Sequence, residues 1–149
     1  MPQITKNKKG LHNFSVLEEF EAGIVLSGQE VKSVKQGHIN LDGSYIRIKA
    51  GEAWLVNAQI PKYKMAGPLP EYDPQRTRKL LLKKREIRYL TGKTQEKGLT
   101  LIPVSVYTKR TKIKVGIGLA RGKKKQDKRE IIKKREDERK ISRAMKSKR

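Results

Sequence analysis

The sequence predicts a mainly β fold: a small antiparallel barrel with flanking short helices and a basic C-terminal tail. Three observations carry this. Apolar residues alternate at period two in several short segments separated by turn residues. The helical patterns between them are few and short. The last 29 residues, from Arg121, hold 15 Lys or Arg against 5 Asp or Glu and almost no apolar side chains. The expected organisation is a loose polar arm over 1–10, a barrel with its helices over 11–121, and the tail over 122–149.

The first strand is expected in "FSVLEEFEAGIVL", with Phe14, Val16 and Phe20 on a buried face and Glu19 and Glu21 on the other. "SGQEVKSVKQG" follows as a short helix. Ser27 caps it, Glu30 completes the capping box, Gly37 ends it, and Val31 and Val34 face the core. "SYIRIK" turns Ile46 and Ile48 inward and Tyr45, Arg47 and Lys49 outward. After an "AGE" turn, "AWLVNAQI" is expected to bury Trp54, Val56, Ala58 and Ile60. Prolines and glycines mark 61–75 as a loop.

"TRKLLLKKREIRYLTG" reads as helical, with Leu80, Ile87 and Leu90 at helical spacing, a break near Lys83–Lys84 and Gly92 as its C-cap. "LTLIPVSVYT" and "KIKVGIGLA" then form a hairpin around "KRT". In the second of these strands Ile113, Val115, Ile117 and Leu119 face one way and Gly116 and Gly118 the other, where small residues admit a close neighbour. An oligonucleotide-binding (OB) type of barrel accommodates these elements. Periodicity does not choose between it and a split α+β sheet.

Charge narrows the function. The chain of 149 residues carries +22, and the part before Arg121 still holds +12. Such a self-repelling surface calls for a polyanion, nucleic acid first and an anionic membrane second. No apolar run approaches the ~18 residues of a spanning helix, and no signal-peptide core is seen. With zero cysteines the chain has no disulfide or thiolate metal site, which fits a cytoplasmic location. His12 and His38 pair with no nucleophile, Glu18, Glu19 and Glu21 do not converge, and no phosphate loop or metal spacing appears, so neither catalysis nor a cofactor is expected. Tyr45, beside Arg47 on a polar face, reads either as an ordinary exposed tyrosine or as a stacking platform for an unpaired base. Lys79, Lys83, Lys84, Arg85 and Arg88 on one helix read either as an ordinary solvated face or, with Lys112 and Lys114 adding charge elsewhere on the surface, as a phosphate-contacting patch.

The tail carries more than charge. Asp127 and Glu130 form an Asp-first capping box, and Glu130–Lys134, Lys133–Asp137, Lys134–Glu138 and Glu136–Lys140 are opposite pairs at i,i+4. Ile131, Ile141 and Met145 share a side, whereas Ile132 points elsewhere. Pairs worth a few tenths of a kcal/mol do not overcome helix nucleation without a packed face, so the tail is expected to be unfolded when free and helical when docked. From Asp127 to Met145 a helix would span about 28 Å, suited to a channel walled by phosphates.

"FEAGIVLSGQEVKS", "RTRKLLLKKREI", "GLTLIPVSVY" and "GIGLARGKK…DKRE" together resemble the SmpB family of tmRNA-binding proteins, over about Asn7 to Lys146. The resemblance implies an OB barrel that binds the tRNA-like domain of tmRNA and escorts it to stalled ribosomes, without catalysis. It places Asn7, Glu21, Leu81, Lys83 and Lys114 at RNA-binding positions. It also implies that the tail enters the vacant mRNA channel of the small subunit, near the decoding centre, as a helix. Gly122, Lys123, Lys124, Asp127, Lys128 and Arg129 match the hinge and first turn, and Ile132, Lys133, Ile141 and Met145 lie further along. Lys83 replaces an amide, Gln126 a ring and Asp137 a Trp of relatives. Two other readings are a basic structural RNA-binding protein and an RNA-modifying enzyme, the latter lacking any site.

Overall fold

The computed structural model describes residues 2–123. Its elements are β1 (Gln3–Lys6), α1 (Lys8–Asn13), β2 (Phe14–Ile24), α2 (Gly28–Lys35), β3 (Tyr45–Lys49), β4 (Glu52–Val56), a 3₁₀ turn (Lys64–Ala66), β5 (Arg78–Leu81), α3 (Lys84–Lys93), β6 (Leu99–Lys109) and β7 (Lys112–Gly122). Every pairing is antiparallel, in the order β1-β6-β3-β4-β5-β2-β7. A further β6–β7 pairing returns the order on itself, so six strands close a ring and leave no open edge between them. Mainly β with short helices is the class the sequence predicted.

The ring encloses Ala22, Leu55, Leu80, Leu101, Val115 and Ile117, all nearly inaccessible, and Val34 of α2 and Leu90 of α3 join the same core. Each of the Val, Leu and Ile side chains among them contributes roughly 1.5–3 kcal/mol by leaving water. Ser27 and Glu30 form the expected capping box, with Ser27 N–H donating to Glu30 at 2.9 Å and Glu30 N–H to the Ser27 hydroxyl at 3.4 Å. The β6–β7 hairpin is also as expected, and Ile113, Val115, Ile117 and Leu119 all face inward.

Four expectations fail, each for a local reason. The segment 1–10 is not a loose arm: β1 pairs with β6 around Ser105–Tyr107, on the stretch of that edge which β3, meeting β6 at Leu101, leaves free. Phe14 and Val16 do not share a face with Phe20. A bulge at Leu17 makes Val16 oppose Ala120 and Glu18 oppose Leu119, which switches the sides of the strand. Phe14 and Val16 therefore lie on the outside, where α1 packs against β2 and β6.

Trp54 and Val56 also fall outside the core. Ala53 and Leu55 are the buried residues of β4, and Asn57, at φ 67°, shifts the phase so that Ala58 and Ile60 are buried after it. Asn tolerates this left-handed conformation better than most residues. Finally, Arg78–Leu81 is a strand rather than the first turn of a helix. Leu80 faces Ala53 inside the ring, and Lys79 lies on the outer face. The helix begins only at Lys84 and runs through Gly92 to Lys93, with Thr94 as its C-cap.

Candidate nucleic-acid interface

The outer face of β2, β5 and β7 brings three predicted residues together. Gly23 stands opposite Leu81 on one side and Lys114 on the other. Gly23 has no side chain, so Leu81 leans over it: a Cβ on Gly23 would sit 3.4 Å from that of Leu81. Leu81 is left 53% exposed, and a shallow groove runs from it past Ile24 and Leu26 to Lys112 and Lys114. Neither lysine forms an ion pair among the described residues.

Glu21 lies two residues from Gly23 on the same face of β2. Its carboxylate accepts from the Tyr107 hydroxyl at 2.5 Å and from Lys109 Nζ at 3.2 Å. The Tyr107 bond is the main cause that lowers the Glu21 pKa, with Lys109 second, so the group is a carboxylate at neutral pH. Burial and the same bond push the Tyr107 phenol up to about 12, so it stays protonated and donates. A fixed carboxylate beside an exposed leucine and two lysines that form no ion pair among the described residues can accept from base amines and hold phosphates. Lys83 is exposed at the N-cap of α3, two residues beyond Leu81, its backbone N–H donating to Glu86 at 3.2 Å.

Asn7 and Tyr45 belong to a different groove, shared with Lys9, Gly10, Phe14 and Asp42. Tyr45 is 40% exposed there. Asn7 is buried and committed inward. Its Nδ2 donates to the Pro103 carbonyl at 2.8 Å, and its Oδ1 accepts from Gly10 N–H at 3.0 Å. A Cβ at Gly10 would come within 2.4 Å of the Asn7 amide, so glycine is required beneath it. Asn7 thus fixes the start of α1, and with it Lys8 and Lys9.

The space left by Gly116 and Gly118 is filled by the protein itself. A Cβ on Gly118 would lie 2.9 Å from Val104 and 3.2 Å from Val16, and one on Gly116 3.2 Å from the Ser105 hydroxyl oxygen. At the far end of β7, Gly122 pairs with Phe14, and Lys123 N–H donates to the Asn13 carbonyl at 3.0 Å. Strand pairing therefore reaches Gly122, the first residue of the expected hinge, and Lys123 beside it lines a groove with Ser15, Leu17 and Lys97. Lys124, Asp127, Lys128, Arg129, Ile132, Lys133, Ile141 and Met145 lie outside the described residues.

One cluster has no counterpart among the sequence expectations. Glu30, buried in α2, accepts from Arg76 and from Arg78, the latter through Nε at 3.0 Å and Nη2 at 2.6 Å, and Tyr72 donates to it at 3.1 Å. Burial would raise the Glu30 pKa, but Arg76, the Ser27 N–H and Arg78 together hold it at about 2. The cluster ties loop 61–77 and β5 to α2. The capping box signalled one half of the Glu30 environment; partners 46 and 48 residues away in the chain left no local pattern. Among the described residues no group of three His, Cys, Asp or Glu is placed to hold a metal. No described helix is long and apolar enough to cross a membrane.

A closed basic ring of strands, with unpaired cations around exposed apolar and aromatic side chains, fits the class of nucleic-acid-binding barrels. Comparison with known proteins specifies it. The family model described as "SmpB protein" matches residues 4–147. The "SsrA-binding protein" of Persephonella marina is 52% identical over 145 residues, covering 97% of this chain and 95% of the relative. That of Gloeothece citriformis is 51% identical over 143 residues, covering 96% and 92%. A solved chain described as "tmRNA-SmpB: a journey to the center of the bacterial ribosome" superposes with a TM-score of 0.68 at 45% identity, covering 84% of this chain and 87% of that one. The chain belongs to the SmpB family.

Proposed function

We propose that this protein is a non-catalytic factor of trans-translation in the cytoplasm. It binds the tRNA-like domain of tmRNA through the outer face of its barrel and delivers it to stalled ribosomes. The observation that carries this is the grouping of Glu21, Leu81 and Lys114 around Gly23, in a chain whose relatives are SsrA-binding proteins. A held carboxylate, an exposed apolar side chain and unpaired cations together suit unpaired bases and their phosphates. Lys83 extends that surface, and Tyr45 provides a second contact at the other groove, with Asn7 holding its wall.

The tail, 122–149, is the ribosome-binding part in this reading. Its +10 over Arg121–Arg149 and the Asp127–Glu130 capping box suit a helix seated among phosphates of the vacant mRNA channel, near the decoding centre. Truncation after Lys123 tests the division. The truncated protein binds tmRNA within a few-fold of the full chain but supports no peptide tagging on stalled ribosomes. A hundredfold loss of tmRNA binding refutes it. Ile132→Pro removes a helical hydrogen bond at roughly 3 kcal/mol and blocks tagging, whereas Lys133→Arg keeps both charge and helix and supports it. Tagging at the native rate by the proline variant means that the tail acts as an unfolded cation.

A further inference from the structure

Trp54 is the sole tryptophan of the chain and lies on the outside of the ring, not in its core. It stands directly opposite Arg47 of β3 on one side and Lys79 of β5 on the other. Lys79 is two residues before Leu81 on the same outer face, so Trp54 and Leu81 are diagonal neighbours, with Cα atoms about 7–8 Å apart. No other aromatic ring or cation stacks on the indole among the described residues, and no protein acceptor takes its N–H. Arg47 has no ion-pair partner among them, while Lys79 reaches Glu52 at 3.1 Å. Indole, the largest aromatic surface among the side chains, is thus half-buried at the rim of a cationic face with its polar edge unused.

We infer that Trp54 is a stacking platform for an unpaired base of the bound RNA, with Arg47 and Lys79 holding the adjoining phosphates. The site continues the Glu21–Leu81–Lys114 surface across β5 onto β4, and the inference rests on that surface being the RNA-binding one. Base–aromatic stacking needs only an accessible π face and tolerates any base. A ring flanked by cations on both sides places the ribose–phosphate backbone along the strands' outer face.

The lone indole is its own reporter. Emission of the full-length protein is titrated with a transcript of the tRNA-like domain of tmRNA, while binding is followed independently by the anisotropy of end-labelled RNA. Stacking predicts quenching that saturates with binding and a loss of acrylamide access to the indole. Trp54→Ala then binds roughly 5- to 100-fold more weakly, and Trp54→Phe, which keeps a ring, stays within about threefold of the native protein. Unchanged emission and acrylamide access at saturating RNA overturn the inference, and this needs no variant to fold. Leu81→Ala and Lys114→Ala separate the two levels. If they weaken binding while the indole stays silent, Trp54 alone is misassigned. If they bind normally while the indole responds and Trp54→Ala fails, Trp54 stands and the surface around Gly23 is misassigned.

Discussion

The Tyr107 hydroxyl reaches the Glu21 carboxylate at 2.5 Å from β6, a strand that does not pair with β2. The bond crosses β7 past Gly116, where a Cβ would already be 3.7 Å from the Tyr107 ring. Tyr107→Phe removes the first cause of the lowered Glu21 pKa and leaves Lys109 as the only side-chain donor among the described residues. The Glu21 titration midpoint, followed by carboxyl carbon NMR, therefore moves up towards 4.5, and the affinity for tmRNA falls roughly 2- to 10-fold, the usual value of one hydrogen bond. A midpoint that stays put assigns the hold on Glu21 to Lys109.

Binding depends steeply on salt. Lys114 forms no ion pair among the described residues and stands beside Gly23, so Lys114→Ala lowers the slope of log K against log salt by about one if the ammonium meets a phosphate. An unchanged slope assigns Lys114 to a base or to the protein itself.

Acid loosens the attachment of α2 to loop 61–77. The Glu30 pKa is depressed to about 2 in the folded chain against 4.5 as its ordinary value. A group depressed on folding adds stability that is complete above its unfolded pKa and is lost as pH falls through the folded one, here between about 4.5 and 2. At 1.36 kcal/mol per unit this is a few kcal/mol. Glu30→Gln leaves Arg78 buried without its counter-charge, costs roughly 3–5 kcal/mol at neutral pH and flattens the acid limb of the stability curve in denaturant titrations. A native acid limb in that variant rules out Glu30 as its source.

Gly118→Ala places a methyl 2.9 Å from Val104, a side chain too stiff to swing away, beside Val16 at 3.2 Å. Overpacking of this kind costs roughly 1–3 kcal/mol, read as a lowered Tm. Tmrna affinity measured well below that Tm stays near native, since Gly118 lies on the covered part of β7. A native Tm means that Val104 and Val16 yield without cost.

Local signals carried the reading where the chemistry was local. The Ser27–Glu30 box, the "KRT" hairpin and the inward set Ile113, Val115, Ile117 and Leu119 need only their own neighbours. Faces went wrong where one residue changed phase. The bulge at Leu17 and the left-handed Asn57 each leave the alternation intact on both sides but reverse its meaning, which moved Phe14 and Trp54 from core to surface. Arg78 hid a strand, because an inward arginine looks polar until Glu30 is placed beside it. The candidate site was legible by resemblance as single positions; that Leu81 and Lys114 flank Gly23, while Asn7 turns inward, depends on pairings across 58 to 96 residues of chain.

Strand β7 runs from Lys112 to Gly122, and its neighbours, not β7 itself, absorb the irregularities, at Leu17 in β2 and at Val104 in β6. Gly122 lies eight steps along the strand from Lys114, a length of about 26 Å at ~3.3 Å per residue. One uninterrupted strand is therefore a ruler between the lysine proposed to grip the RNA and the point where the tail departs. Its calibration resists gradual change. A one-residue insertion lengthens it by a single step but also turns every later side chain to the opposite side, so the offset between the two ends can be reset only in paired steps of about 7 Å.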